Sequence, residues 1–272
     1  METLKKLIRK KNIDWTMVIA GLIGAVVVIF IAVPIVGMFL RVGVDGLARA
    51  WGDENAVRAI VLSMQAAFYT TVLSLLFGIP LAYFLARNNF PGKSFIESII
   101  DLPIVVPHTV AGIALLMVFG ANGFFGAPLG SIGVRIADSM AGIVIAMMFV
   151  SAPFLINSAR EGFESVDPRL ENVAMGLGAS RSRVLFTVTL PLSVRHLFTG
   201  SVMTWARAIS EFGAVVIIAY FPMIAPTYIY TEYLQYGLSK SGPVAALLLL
   251  FCVITFIILR TISGRWKRYS ED

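Results

Sequence analysis

The sequence predicts an all-α, polytopic membrane protein with six transmembrane helices, one of them a peripheral N-terminal helix set against a five-helix core. Three observations carry that prediction. Of 272 residues, 58% are hydrophobic and only 14% are charged, with a mean hydropathy of +0.84, a membrane composition. Six apolar stretches, near 15–40, 57–86, 99–120, 138–159, 197–220 and 242–261, reach the roughly 20 residues a helix needs to cross hydrocarbon. With the amino terminus inside, sixteen of the 22 lysines and arginines fall in inside segments and five in outside ones. That asymmetry puts both termini and the polar loop 160–196 in the cytoplasm.

The same asymmetry accounts for the net charge of +6, so nucleic-acid binding loses its support. The single Cys252 lies in an apolar run, which excludes an internal disulfide and gives no support to a cysteine metal cluster. There is no GxxxxGK phosphate loop, no HExxH, and no local nucleophile and base pairing, so the chain does not supply an ATP site or a catalytic centre of its own.

Segment one follows the basic stretch METLKKLIRKKNID. Its apolar run to Leu40 exceeds a signal-peptide core of roughly 7 to 15 residues, so it is read as a retained span. Thr16 is its one polar residue before Arg41, so it can face lipid all round at the periphery. Residues 1–55 thus form an N-terminal unit with an outside loop, 56–262 the transmembrane domain, and 263–272 a cytoplasmic tail.

Segment two carries Ser63, Gln65, Thr70, Thr71 and Ser74, residues that let membrane helices approach and hydrogen-bond. Gly78 and Pro80 predict a bend, and residues 88–92 (NNFPG) an inside turn. In segment three Pro103 and Pro107 remove two backbone donors one turn apart, so this helix bends at a protein interface. His108 beside them is read as a hydrogen-bonded helix-end residue in preference to a proton carrier or ligand. Residues 121–137, with four glycines and a proline, form an outside loop.

The loop 160–196 contains five arginines together with Glu161, Glu164, Asp167 and Glu171; it must lie in water. Asp167 caps a helix whose first turn holds Pro168 and which stops near Gly178. Ser180 caps a second helix, predicted to end before Pro191. Leu170, Val173, Ala174 and Leu177 fall at i, i+3, i+4 and i+7, an apolar stripe on a polar helix. The stripe wants either a partner protein or the loop's own helix ends.

In segment five Arg207 and Glu211 are four apart, hence on one helix face and able to pair. Ala206, Ser210 and Ala214 make an adjacent small-residue stripe. An intramembrane charge pair marks either a water-lined pathway or a structural ion pair that fixes helix rotation. Residues 221–241 lie outside, rich in tyrosine and proline, and segment six is nearly featureless.

The run Asn172-Val173-Ala174, then Gly178, then Val188-x-Leu190-Pro191, resembles the EAA loop of ABC importer permeases, the segment that docks into the ATPase subunit. Asn172 stands where that family usually has glutamate, with Glu171 just before it, and Val173 replaces an alanine. The string WARAISEFGA at 205–214 is similar to the signature of sulfate, molybdate and tungstate permeases. The segment DLPIVVPH resembles the same oxyanion branch, in which proline is usual at the position of His108.

The resemblance spans residues 56 to 262 and implies a type I ABC importer permease with cytoplasmic coupling helices. It implies ATPase contacts through Leu170, Glu171, Asn172, Val173, Ala174, Gly178, Ala179, Ser180, Leu190 and Pro191. The translocation-pathway candidates are Arg207, Ser210, Glu211 and Gly213. Implied partners are a second copy of the chain, two ABC ATPase subunits and an extracytoplasmic oxyanion-binding protein. ATP and Mg would sit on the ATPase, with no cofactor on this chain. The expected substrate is molybdate or tungstate, with sulfate second. An ATP-independent secondary transporter would need acidic residues or histidines across several spans, whereas Glu211 is the only acidic residue deep in one.

Overall fold

The computed structural model describes residues 15–269. The basic segment 1–14 and residues 270–272, both expected in the cytoplasm, lie outside the described residues. Every regular element among the described residues is helical.

Helix α1 (Trp15–Gly52) is interrupted at Gly43, whose φ of 63° leaves the right-handed helical region. No residue of its apolar window is buried; it touches the rest of the fold through α2 and the final helix. Asp53 then caps α2 (Glu54–Arg87), its carboxylate accepting the N–H groups of Asn55 and Ala56. The expected bend at Gly78 and Pro80 is absent as a break, since α2 runs through both. Gly78 serves close approach instead: a Cβ there would lie 3.1 Å from Ile156 Cγ1 on α6.

The third predicted span is two helices. α3 (Lys93–Val105) and α4 (His108–Phe119) meet at 113° across Val106 and Pro107. Pro103 is buried within α3, while Pro107 caps α4, where its missing N–H costs nothing. After the short α5 (Gly126–Ser131) comes α6 (Met140–Glu164), capped by Ser139.

Two short helices follow. Asp167 caps α7 (Pro168–Gly176), and Ser180 caps α8 (Arg181–Val184). The second does not end before Pro191. A π-helical turn, Leu185–Thr189, carries it without interruption into α9 (Leu190–Ile209). Leu190 N–H bonds Leu185 C=O, five residues back, and the wider turn accommodates the proline that follows.

The fifth predicted span also differs. Its helix stops at Ile209, and after a turn at 210–214 the chain forms α10 (Val215–Ile218), α11 (Ala225–Tyr236) and α12 (Leu238–Tyr269). Ala206, Ser210 and Ala214 therefore do not form one helical stripe. Among the described residues the six predicted spans correspond to four continuous helices (α1, α2, α6 and α12), one bent pair, and one helix ending at Ile209.

The core is α6 packed between α2 and α9. Within apolar surroundings helices gain little from hydrophobicity and associate by close packing and polar bonds. Ser193, Leu197, Gly200, Thr204 and Ala208 are the buried face of α9. Ser193 donates to Gly162 C=O (3.0 Å), Ser158 to His196 C=O (2.8 Å) and Thr204 to Ser151 C=O (3.3 Å). A Cβ on Gly200 would come within 2.9 Å of Ser158 Cβ and 3.3 Å of the Leu155 Cα. Gly200→Val is therefore expected to force α9 from α6 and destabilise the protein by about 1–3 kcal/mol, read as a lower thermal midpoint in detergent than for Thr199→Val on the exposed face.

Candidate functional site

Two polar constellations stand out, at opposite ends of α9, whose 20 residues span about 30 Å at the usual helical rise. The first lies under α7. Proline at its first position and Asp167 at its cap start this helix, and the Asp167 carboxylate accepts Arg169 N–H at 2.8 Å. It stops where Gly178 adopts φ 91°, so that Ala179 N–H returns to Ala174 C=O at 3.1 Å.

Glu171 points inward and is buried, although it belongs to a short helix of largely exposed residues. Arg87, at the last position of α2, reaches it with Nε (3.0 Å to Oε1, 3.1 Å to Oε2) and Nη2 (2.8 Å to Oε1). Arg87 Nη2 also donates to Val166 C=O at 3.1 Å. The Thr189 hydroxyl, at the end of the π turn, donates to Glu171 Oε1 at 2.7 Å. One carboxylate thus ties α7 to the end of α2 and to the start of α9.

With Glu171 turned in, Leu170, Val173 and Leu177 project outward at 50%, 62% and 85% exposure, beside exposed Asn172, Gly178 and Ser180 and half-buried Ala174 and Ala179. Leu190 is half-buried against the cluster of Ala82, Phe163 and Leu197, and Pro191 is exposed. The inner anchor is Glu171, one residue before Asn172. Arg87 and Thr189 belong to this site and carry no sequence signal of it; only the glutamate beside the motif hints that an acid is needed there.

Nearby, α3 is fastened to α6 by Glu97 to Arg160 and by Asn157 Nδ2 to Asp101 Oδ1 at 2.6 Å. At the other end of the fold the loop 121–137 exposes Phe124, Phe125, Ile132 and Val134. Tyr228 on α11 donates to the Asp53 cap at 3.0 Å; burial first, and this hydrogen bond second, push its phenol above the ordinary range.

The second constellation lies where α9 ends. Arg207 and Glu211 pair at 2.8 Å, but not along one helix face, because Glu211 is beyond the helix and its N–H returns to Ala208 C=O at 3.0 Å. Glu211 is 1% exposed, and its Oε1 accepts Ala214 N–H at 2.8 Å. Arg207 Nη1 reaches the exposed Ser210 hydroxyl at 3.3 Å.

His108 joins this pair from α4. Arg207 Nη2 lies 2.8 Å from its Nε2, and its Nδ1 lies 3.3 Å from Glu211 Oε2. Arg207 Nη2 also lies 3.1 Å from His108 Nδ1, so one guanidinium nitrogen meets both the imidazole and the Glu211 carboxylate, and the three side chains form one polar cluster. Gly213 permits the approach, since a Cβ there would fall 2.7 Å from His108 Cβ; at Gly112 a Cβ would meet Ala214 C=O at 2.8 Å. His108 is thus a member of the cluster, which a lone histidine at a helix end does not announce. Among the described residues no group of three or more histidine, cysteine or carboxylate side chains is placed to hold a metal.

Residues 78–269 match the family model described as binding-protein-dependent transport system inner membrane component. The molybdate/tungstate transport system permease protein WtpB of Thermococcus kodakarensis is 43% identical over 254 residues, 93% of this chain and 98% of that one. WtpB of Pyrococcus furiosus is 44% identical over 250 residues, 91% and 95% of the two chains. The fold is similar, with a TM-score of 0.70 at 19% identity over 97% of this chain and 99% of the other, to a bacterial ABC transporter involved in the import of the acidic polysaccharide alginate.

Proposed function

The chain belongs to the family of binding-protein-dependent transport system inner membrane components, and on that premise we propose that it is the membrane-spanning permease subunit of an ATP-driven importer carrying molybdate or tungstate into the cytoplasm. Relatives at 43% and 44% identity that bear these two dianions in their names support ranking them ahead of sulfate. ATP hydrolysis belongs to a separate subunit; this chain contributes the path and the lever.

The observation that carries the reading is α7. Its exposed ridge of Leu170, Val173 and Leu177 is unsatisfied in this chain, while its inner face is locked by Glu171 to two long helices. In the proposed assembly each of two copies presents this ridge to an ATPase subunit on the cytoplasmic side. ATP-driven closure of the ATPase pair moves α7, and the Glu171 clasp passes that motion to α2 and α9, rocking the bundle so the pathway opens outward. The break at Val106 and Pro107 supplies an interhelical corner about which α3 and α4 can reorient. The apolar loop 121–137 is then the face for the external binding protein. Helix α6, with 25 residues and so about 37 Å long, separates it from α7.

The test is uptake of molybdate by proteoliposomes holding this chain with its copurified ATPase and binding protein. Accumulation is expected only with ATP and the binding protein present. Uptake without ATP, or uptake of sulfate with none of molybdate or tungstate, would overturn the reading.

A further inference from the structure

The cluster at the end of α9 has an unequal exposure that its chemistry makes informative. Its carboxylate, Glu211, is 1% exposed, whereas the side chains of Arg207 and His108 are 23% and 42% exposed. The acceptor is turned into the protein and the cationic donor outward. Arg207 spends N–H groups on Ser210, His108 and Glu211, and a guanidinium carries more than these contacts use. The remaining N–H groups have no partner among the described residues.

The turn also opens onto free space. A cavity of about 1200 Å³ reaches Ile209, Ser210 and Phe212, and its wall includes Arg41 and Arg49 and no acidic residue. An anion there meets positive charge from α1 and the Ser210 hydroxyl, through which Arg207 Nη1 reaches this wall without itself lining it.

From this arrangement we infer that Arg207 is a transient contact for the tetrahedral oxyanion, with His108 a positioning residue that aims its guanidinium and Glu211 a built-in counter-ion that keeps the contact weak. This rests on the oxyanion-importer reading above. A planar fork of N–H groups suits a tetrahedral oxyanion, and charge-assisted bonds to it are strong. An uncompensated arginine in a low-dielectric passage would hold a dianion too tightly to release it, and conduction needs a site that the ion can leave. Glu211 cancels the net charge while leaving the directional donors in place. His108 accepts from Arg207 Nη2, the same nitrogen that donates to Glu211, so it keeps the fork from collapsing onto the carboxylate alone. Gly213, where a Cβ would strike His108, and Gly112 on α4, where one would strike Ala214 and Ile217, let α4 and the turn approach closely enough to hold the histidine in that position.

The contact makes an unusual prediction, a gain of binding on removing a charge. The purified permease and ATPase complex, without binding protein, is titrated with radiolabelled molybdate. Wild type is expected to bind weakly. Glu211→Gln, which retains an acceptor for Ala214 N–H, is expected to bind at least tenfold more tightly and to import more slowly. Adding Arg207→Ala to that variant should abolish the gain, and adding His108→Leu should reduce it several-fold. His108→Gln, which keeps polar atoms, should fall between leucine and histidine.

A purely structural ion pair predicts loss of uptake and thermal stability in Glu211→Gln with no gain in binding. That result overturns the inference, as does a gain that persists without Arg207. Should wild-type proteoliposomes fail to import molybdate with ATP and binding protein, the importer reading itself fails. Uptake intact in wild type with no gain in Glu211→Gln defeats only the contact.

Discussion

Arg87→Ala is expected to abolish nearly all ATP-driven uptake while leaving the membrane helices assembled. The substitution leaves the Glu171 carboxylate, 8% exposed as a side chain, without its charged partner, and breaking a buried pair on one side costs about 3–5 kcal/mol. The lower end applies, because Arg87 keeps 15% of its side chain in solvent. Glu171 sits on a nine-residue helix, too short to hold together in water by itself. The cost therefore falls on α7, which detaches from α2 and from Thr189. A penalty of about 3 kcal/mol lowers the population of docked α7 on the order of a hundredfold.

The measurements are ATPase copurification and ATP-dependent uptake, with overall helicity as the control. Arg87→Met combined with Glu171→Met should recover much of the lost stability, because an apolar pair of similar volume removes the orphaned charge. An Arg87→Ala complex that retains its ATPase and imports at the wild-type rate would show that the clasp carries no load.

Val173→Glu with Leu177→Glu should give the complementary result, a fully folded protein that no longer binds an ATPase. Both side chains are already in solvent, at 62% and 85% exposure, so carboxylates there cost the isolated chain little. Burial of each apolar side chain in a partner groove contributes about 1.5–3 kcal/mol. Replacing both, and asking the groove to desolvate two charges, is expected to weaken association at least about a hundredfold. Titration of detergent-solubilised permease against its ATPase checks this, with an unchanged melting midpoint as the internal standard. Unchanged affinity in the double variant would assign the ridge to something other than ATPase docking. The contrast is diagnostic: Arg87→Ala breaks the support from beneath, whereas the paired glutamates spoil only the contact.

Much of α7 was legible because its determinants are local. Asp167 followed by Pro168 starts a helix through one side-chain bond and one preset φ, and Gly178 stops it through a conformation other residues rarely adopt. The spacing of Leu170, Val173 and Leu177 follows from the helical period, and they form an exposed ridge in the folded protein. The end of the fifth apolar stretch was not legible in the same way. Nothing between Trp205 and Ala214 forbids a continuous helix, and the i, i+4 spacing of Arg207 and Glu211 invites one. The chain instead turns after Ile209 and the pair still forms, because Glu211 satisfies Ala214 N–H and takes His108 from another helix.

Apolar length, charge asymmetry and capping chemistry are properties of neighbours along the chain, so the sequence by itself determined that this is a helical membrane protein with a short, capped helix that carries an apolar stripe. Only the tertiary structure decided which polar groups meet: Arg87 and Glu171 are 84 residues apart, and His108 and Arg207 are 99. No periodicity reports such distances. A buried charge takes whichever partner the packing of α2, α4, α6 and α9 delivers, and that choice is made through space, where desolvation penalises an unpaired group.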